Sequence, residues 1–134
     1  MNILLDTHIA VWAITDDPRL SPKARELLLD PGNNIYFSVI SAMEIALKRK
    51  SRSNNLDFTT EEFVDYCEKA GYIQLLLKSE HILAEENLRR KGEGPEHQDP
   101  FDRFLIAQAK VEKLSFMTHD HEIPSFDVKG IISI

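Results

Sequence analysis

The sequence lacks several features that would each point to a particular class of protein. Its single cysteine, Cys67, excludes a disulfide within the chain and fits a reducing compartment. No apolar run approaches the ~18 residues of a membrane-spanning helix, and the amino terminus has no basic segment typical of a signal peptide. We therefore expect a cytoplasmic protein.

Basic charge is also scarce. The chain carries 16 Lys and Arg against 22 Asp and Glu, a formal net charge of -6. Binding of nucleic acid through bulk electrostatics normally needs a basic surface, which this composition does not supply. Two explanations stay open: nucleic acid is not the partner, or the acids are concentrated in a site that divalent cations neutralise.

The remaining composition is that of an ordinary globular protein. A chain of 134 residues, 43% of them hydrophobic, is most simply a single domain over residues 1–134. Apolar segments that read as strands alternate with segments of helical periodicity, which predicts an α/β fold with a mainly parallel central sheet. The predicted strands are residues 2–5, 35–39, 72–77, 114–118 and 131–134.

Short polar motifs predict where the helices between these strands begin. Thr59 and Glu62 have the spacing of a capping box, and Cys67 then falls on the apolar side of that helix, as a core thiol would. The predicted helix starts are Thr7 or Asp6, Ser21, Ser41, Thr59, Ser79 and Asp99, and the helix that begins at Ser79 is predicted to run to Lys91.

The segment HQDPFDRFLIAQAK, residues 97–110, begins a helix that carries two acids at its start. Asp99 can cap the helix, Pro100 suits its first position, and Asp102 falls in its first turn. Both acids have an ordinary interpretation, one as cap and one as a favourable charge at the helix dipole.

Three further acids occupy matching places elsewhere. Asp6 ends the first strand, Glu44 lies just inside the helix after the second strand, and Asp120 follows the fourth. In a parallel sheet these positions, with Asp102, all fall at the carboxyl edge, where such folds form their sites. Single acids have ordinary roles too: Asp6 can cap a helix, and Glu44 can pair with Lys48 one turn later.

Clustered carboxylates favour a divalent cation, because they repel one another unless a positive charge neutralises them. All-oxygen ligands select Mg²⁺ or Mn²⁺, and such ions suit hydrolysis of a phosphodiester by an activated water. The histidines point less clearly to a function. His119 and His121 could bind zinc, but this spacing in a loop is more typical of polar surface. His8 and His97 fit solvated surface better than a role at the substrate.

A basic run follows Glu44: Lys48, Arg49, Lys50 and Arg52. Such a run is typical of a solvated helix end, and it also suits phosphate contact, as does Arg103 beside Asp102. We predict that Lys48, Arg49, Arg52 and Arg103 contact phosphate groups at the rim of the acidic site.

The segments MNILLDTH, SVISAMEIALKRK, HQDPFDRFLIAQAK and SFMTHD, in this order, resemble the PIN-domain ribonucleases. More narrowly, they resemble the VapC-type toxins of bacterial toxin–antitoxin pairs. The resemblance implies a three-layer α/β/α fold and a Mg²⁺- or Mn²⁺-dependent endoribonuclease. By position, it implies that Asp6, Glu44, Asp102 and Asp120 are the catalytic acids that hold the metal.

The same resemblance implies accessory residues and partners. Thr118 matches the threonine or serine before the last acid, while Asp99 is an extra carboxylate that either caps or joins the site, and Thr7 adjoins the first acid. His119 departs from the family's usual arginine or asparagine, which leaves the substrate contacts there open. The family implies a homodimer that is silenced by a cognate antitoxin protein.

Two other functions are alternatives to the ribonuclease. A catalytically weak PIN-like module that binds RNA or a protein partner is disfavoured by the presence of all four acids. A phosphohydrolase of the receiver or haloacid-dehalogenase type would need further signature residues, such as a second aspartate two positions after the first. Position 8 is histidine.

Overall fold

The computed structural model describes residues 1–51, 56–88, 99–120, 123 and 130–134. Within these residues the strands are β1 (Asn2–Leu5), β2 (Asn34–Ser38), β3 (Ile73–Leu75), β4 (Ser115–Thr118) and β5 (Ile131–Ser133). The helices are α1 (Thr7–Ile14), α2 (Pro22–Leu29), α3 (Val39–Arg49), α4 (Thr60–Lys69), α5 (Ser79–Glu86) and α6 (Pro100–Glu112). None of these helices is long and apolar enough to cross a membrane.

All strand pairs in the described sheet are parallel, and their order is β3-β2-β1-β4-β5. The predicted α/β fold with a parallel central sheet is therefore confirmed. The strand order reverses at β1, which pairs with β2 on one side and β4 on the other. The carboxyl ends of these three strands therefore meet at the switch point, where open α/β sheets form their binding sites.

Two apolar clusters cover the two faces of the sheet, which gives three layers. On β1, Ile3 and Leu5 join one cluster while Leu4 joins the other, because successive side chains point to opposite faces. The first cluster also includes side chains from α1, α2 and α4, and the second is built largely from α6. Cys67 belongs to the first cluster, and burial raises the pKa of its thiol to about 12. Its predicted role as a core thiol is confirmed.

Helix α3 begins earlier than predicted. Its N-cap is Ser38, whose hydroxyl accepts a hydrogen bond from the Ile40 N–H at 3.0 Å, so the prediction of Ser41 as the cap is wrong. Val39, predicted as the end of the strand, is the first residue of the helix. Ser41 is buried inside α3, and its hydroxyl shares a hydrogen bond with that of Thr7 at 2.8 Å.

The region around α5 also departs from the prediction. Strand β3 ends at Leu75 rather than Leu77, and Ser79 is the first residue of α5 rather than its cap. Lys78 occupies the cap position, and its backbone N–H donates to Nδ1 of His81 at 3.0 Å. The imidazole thus replaces the glutamate of a capping box. The helix ends at Glu86, and Lys91, its predicted end, lies outside the described residues.

Candidate active site

Asp6 lies where β1 passes into α1, and it is buried. Its backbone N–H donates to the Met117 carbonyl at 2.9 Å, which extends the pairing of β1 with β4. Its Oδ1 accepts the Thr7 N–H and its Oδ2 accepts the Thr118 hydroxyl, both at 2.7 Å. The Thr118 oxygen in turn accepts the Asp120 N–H at 3.0 Å. Asp6 is therefore both a helix cap and part of a network that includes the end of β4.

The pKa of the Asp6 carboxyl is raised above its usual value, mainly because burial disfavours the charged form. The hydrogen bonds from Thr118 and Thr7 oppose this shift, and the nearby negative charge of Glu44 adds to it. Burial thus penalises the charged form of Asp6, and a cation in contact with the carboxylate would reduce this penalty.

Glu44 lies on the inward side of α3 and is only 4% exposed. Its Oε2 contacts the Lys48 ammonium at 2.6 Å, so the predicted pair one turn apart does form. However, only the lysine of this pair is exposed, because the Glu44 side chain is buried. The other oxygen, Oε1, is buried and has no hydrogen-bond partner among the described residues.

The start of α6 supplies two further acids. Asp99 is the N-cap, and its Oδ1 accepts the backbone N–H groups of Phe101 at 2.9 Å and Asp102 at 3.4 Å. Asp102 lies in the first turn that this cap stabilises. The helix is fixed in place because its central residues, including Leu105 and Ile106, are fully buried against the sheet.

These acids meet in one cleft of about 160 Å³ at the carboxyl edge of the sheet. The carboxylates that line it are Asp6, Glu44, Asp99, Asp102 and Asp120, and the other lining residues are Thr7, His8 and Lys48. The geometry therefore brings together the acids that the sequence placed at this edge. Thr118 lies behind Asp6 and holds it by the hydrogen bond described above.

A comparison with protein-family models adds an independent finding. The model described as "PIN domain" matches residues 3–129. The chain belongs to the PIN domain family. A comparison with curated proteins finds no match.

Several solved structures share this PIN fold at low sequence identity. VapBC2 from Rickettsia felis, bound to a DNA fragment from its promoter, has 18% identity and a TM-score of 0.65, over 100% of this chain and 98% of that one. DNA-bound VapBC from Salmonella typhimurium has 16% identity and a TM-score of 0.63, over 100% and 97%. VapBC-5 from Mycobacterium tuberculosis, a member of a family of toxin–antitoxin systems, has 16% identity and a TM-score of 0.58, over 99% and 98%. Likeness at this level establishes the fold.

In this PIN domain, three of the four cations predicted to contact phosphate already have partners within the protein. Lys48 pairs with Glu44, and the Arg49 guanidinium donates to the Phe58 carbonyl. Nε of Arg103 donates to Oε1 of Glu85 at 2.9 Å. Arg52 lies outside the described residues, as do His97 and His121.

The sequence motifs do not point to Trp12, which lies in α1 of this PIN domain and contacts three polar side chains. The His8 ring stacks on it with centroids 6.1 Å apart, and the His119 ring meets it edge-on at 5.3 Å. The Arg19 guanidinium lies over the same indole at 5.1 Å. A signal existed, since Trp12 follows His8 by four positions, the spacing of neighbours on one helix face. His8, which the sequence placed on solvated surface, is exposed and also lines the cleft.

The donor chemistry of the cleft fits a hard divalent cation. Its protein oxygens come from carboxylates and a threonine, the type of ligand that Mg²⁺ and Mn²⁺ prefer. Glu44 Oε1 is a buried polar atom that lacks a protein partner in the described part of the chain. Among the described residues, no three His, Cys, Asp or Glu side chains are arranged so that they could together hold a metal ion. The residues fit the ion, but their present side-chain positions are not those of a complete set of ligands.

Proposed function

We propose that this chain, acting as one domain over residues 1–134, is a Mg²⁺- or Mn²⁺-dependent endoribonuclease and the toxin of a toxin–antitoxin pair. Three observations support the proposal. The chain belongs to the PIN domain family, its cleft is lined by five carboxylates, and its fold is that of proteins in VapBC complexes.

The observation that carries the proposal is the state of Glu44. A buried carboxylate with one unpartnered oxygen is costly, because the lost hydration is not replaced by hydrogen bonds. Glu44 shares its cleft with Asp6, Asp102 and Asp120, which repel it rather than satisfy it. Such an arrangement is favourable when a cation joins the cleft, and so we assign the four acids to metal binding and catalysis.

The remaining residues of the site have supporting roles in this proposal. A bound Mg²⁺ or Mn²⁺ would polarise the scissile phosphodiester and activate a water for attack. Thr118 and the Thr7 N–H hold the two oxygens of Asp6, and so they fix its orientation toward the cleft. Asp99 stabilises the helix turn that carries Asp102.

We further propose contacts to substrate and partners. Lys48, Arg49, Arg52 and Arg103 remain candidates for phosphate contact, with His119 beside Asp120. A homodimer and a cognate antitoxin would both need an exposed surface on which to dock. Large apolar side chains exposed between positions 73 and 83 offer such a surface: Ile73, Leu76, Leu77, Ile82 and Leu83.

One observation favours a second candidate, a catalytically weak module that binds RNA or a protein partner. The Lys48 ammonium already supplies a positive charge to Glu44 inside the cleft. A protein that never binds a metal could retain this internal ion pair.

Cleavage of total RNA in vitro separates the two functions. We expect the parent protein to cleave RNA with added Mn²⁺ or Mg²⁺ and to lose this activity in EDTA, because the chain's acids would then lack their cation. Glu44→Gln should be inactive, whereas Asp65→Asn, which removes an exposed acid on α4, should cleave like the parent. Cleavage that persists in EDTA without added metal would reject the metal mechanism. RNA binding without cleavage under any metal would favour the module.

A further inference from the structure

Lys48 follows Glu44 by one helical turn, and the two side chains differ sharply in exposure. The Lys48 side chain is 54% exposed while that of Glu44 is 6% exposed, although Nζ and Oε2 are only 2.6 Å apart. Both residues line the acidic cleft. The lysine therefore reaches from solvent to the wall of the site, where its ammonium contacts one of the proposed metal ligands.

The two oxygens of Glu44 have different surroundings. Oε2 has the lysine, whereas Oε1 has no hydrogen-bond partner in the described part of the chain. A carboxylate can accept several hydrogen bonds or bind a cation through both oxygens, so the ion pair satisfies Glu44 only in part. A second cation at this carboxylate would also be repelled by the ammonium, since like charges within a few ångströms oppose each other.

The lysine can leave this position more easily than the glutamate can. Lysine carries its charge on a flexible four-carbon stem that is readily hydrated, and more than half of this side chain already lies in solvent. Glu44 is held by its buried place in α3. Motion of Lys48 away from the cleft would therefore uncover Oε2 without disturbing the core.

We propose that Lys48 is a tethered counter-ion, which holds Glu44 in the metal-free protein and gives it up when a divalent cation binds. This inference rests on the proposed function. It assigns Lys48 a positioning role toward Glu44 in place of a phosphate contact in the metal-free state. Because the lysine competes for the same carboxylate, its presence lowers the affinity of the cleft for metal.

Helix α4 offers a matched control. Lys69 contacts Asp65 at 2.8 Å with the same spacing of four residues, and their side chains are 72% and 49% exposed. Neither residue lines the acidic cleft. Lys69→Gln therefore makes the same change in net charge and breaks the same kind of helical pair, without touching the site.

The test is calorimetric titration of Mn²⁺ into the metal-free parent, Lys48→Gln, Lys48→Arg and Lys69→Gln, together with melting in EDTA and in Mn²⁺. We expect Lys48→Gln to bind Mn²⁺ roughly 1.5- to fivefold more tightly, the range for losing one competing ion pair with an exposed partner. It should also melt lower than the parent in EDTA, because Glu44 then lacks its partner, and gain more in melting temperature from Mn²⁺. Lys69→Gln should bind Mn²⁺ like the parent. Lys48→Arg should bind Mn²⁺ like the parent or more weakly, because it keeps the positive charge beside Glu44.

Other outcomes overturn the inference. If Lys48→Gln binds Mn²⁺ no more tightly than the parent, the lysine does not compete with the metal. If Lys48→Gln fails to fold, tighter binding by Lys48→Arg than by the parent would contradict it equally. If the parent itself binds no Mn²⁺, the proposed metal-dependent function fails along with the inference. A parent that binds Mn²⁺ and cleaves RNA while Lys48→Gln binds no better rejects the inference alone.

Discussion

Asp99 and Asp102 lie three residues apart and line the same cleft, but they occupy different positions in α6. The sequence left both open, since either acid could serve the helix or the site. Asp99 accepts two backbone N–H groups and is therefore the cap, whatever else it does. Asp102 occupies the first turn, where its negative charge is compatible with the helix dipole.

Substitution of each aspartate should separate stability from activity. Asp99→Ala should lower the free energy of unfolding by about 1 kcal/mol, the usual cost of losing an N-cap, as measured by urea denaturation. Asp102→Asn should be neutral or slightly stabilising without metal, because it relieves repulsion, yet reduce RNA cleavage at least about a hundredfold. An Asp102→Asn protein that melts several degrees lower and still cleaves RNA would show that Asp102 serves the helix instead.

The burial of Glu44 could not be predicted from the sequence. The spacing to Lys48 correctly predicts the ion pair. The spacing does not predict which side of α3 faces the site. Apolar residues such as Met43 and Leu47 are exposed on this helix, whereas Glu44 is buried. The hydrophobic pattern of this helix is therefore a poor guide to its orientation.

At the scale of elements, the sequence predicts each helix and strand described here, and its errors fall at their ends. Local motifs predict the start of a helix correctly where the sequence offers one clear cap. The Thr59–Glu62 capping box and the Ser21 cap both form as predicted. At α3 two serines compete, and Ser38 becomes the cap at the point where the chain leaves β2. At α5 the capping partner is His81, whose role depends on burial against α6.

His81 links α5 to α6 and gives a prediction on pH. Because Nδ1 accepts the Lys78 N–H, Nε2 carries the proton and donates to Glu112 Oε1 at 2.9 Å. This bond, with Lys78 nearby, lowers the pKa of Glu112 below the usual value of 4.5 for a glutamate. A pKa lowered in the folded state stabilises the fold above the unfolded pKa, and the gain is lost as pH falls through the folded pKa.

Glu112→Gln should therefore lower the free energy of unfolding by about 1 kcal/mol at neutral pH. The difference from the parent should shrink as the pH falls below 4.5, because the parent loses the same interaction by protonation. Urea denaturation at several pH values measures both quantities, with Glu68→Gln as an exposed control on α4. A difference that grows toward acid pH would contradict this account of the bond.

At the scale of the whole molecule, the parallel sheet explains why distant acids meet. Parallel strands end at one edge, so Asp6 after β1, Glu44 after β2 and Asp120 after β4 converge, and the sequence could predict this much. The strand order could not be read from the sequence, because pairing depends on how the helices pack. It is this order that makes β1, β2 and β4 neighbours and so closes the cleft.

The net charge of -6 also has to be understood at this scale. If this acidic protein binds RNA as proposed, binding would depend on a few local cations and on neutralisation of the acids by metal. Three of the four predicted phosphate contacts, Lys48, Arg49 and Arg103, are engaged with protein oxygens in the described structure. We therefore expect fewer phosphate contacts than four.

The salt dependence of RNA binding measures this number. For single strands, the affinity falls with salt at a logarithmic slope of about 0.7 per phosphate contact, so four contacts would give a slope of about -2.8. We expect a shallower slope for a labelled single-stranded RNA bound to Asp102→Asn, which should not cleave it, by fluorescence anisotropy across a range of KCl. Adding Lys69→Gln, a change at a residue that does not line the cleft, should leave the slope unchanged. A slope of about -2.8 or steeper would mean that the arginines and Lys48 exchange their internal partners for phosphates when RNA binds.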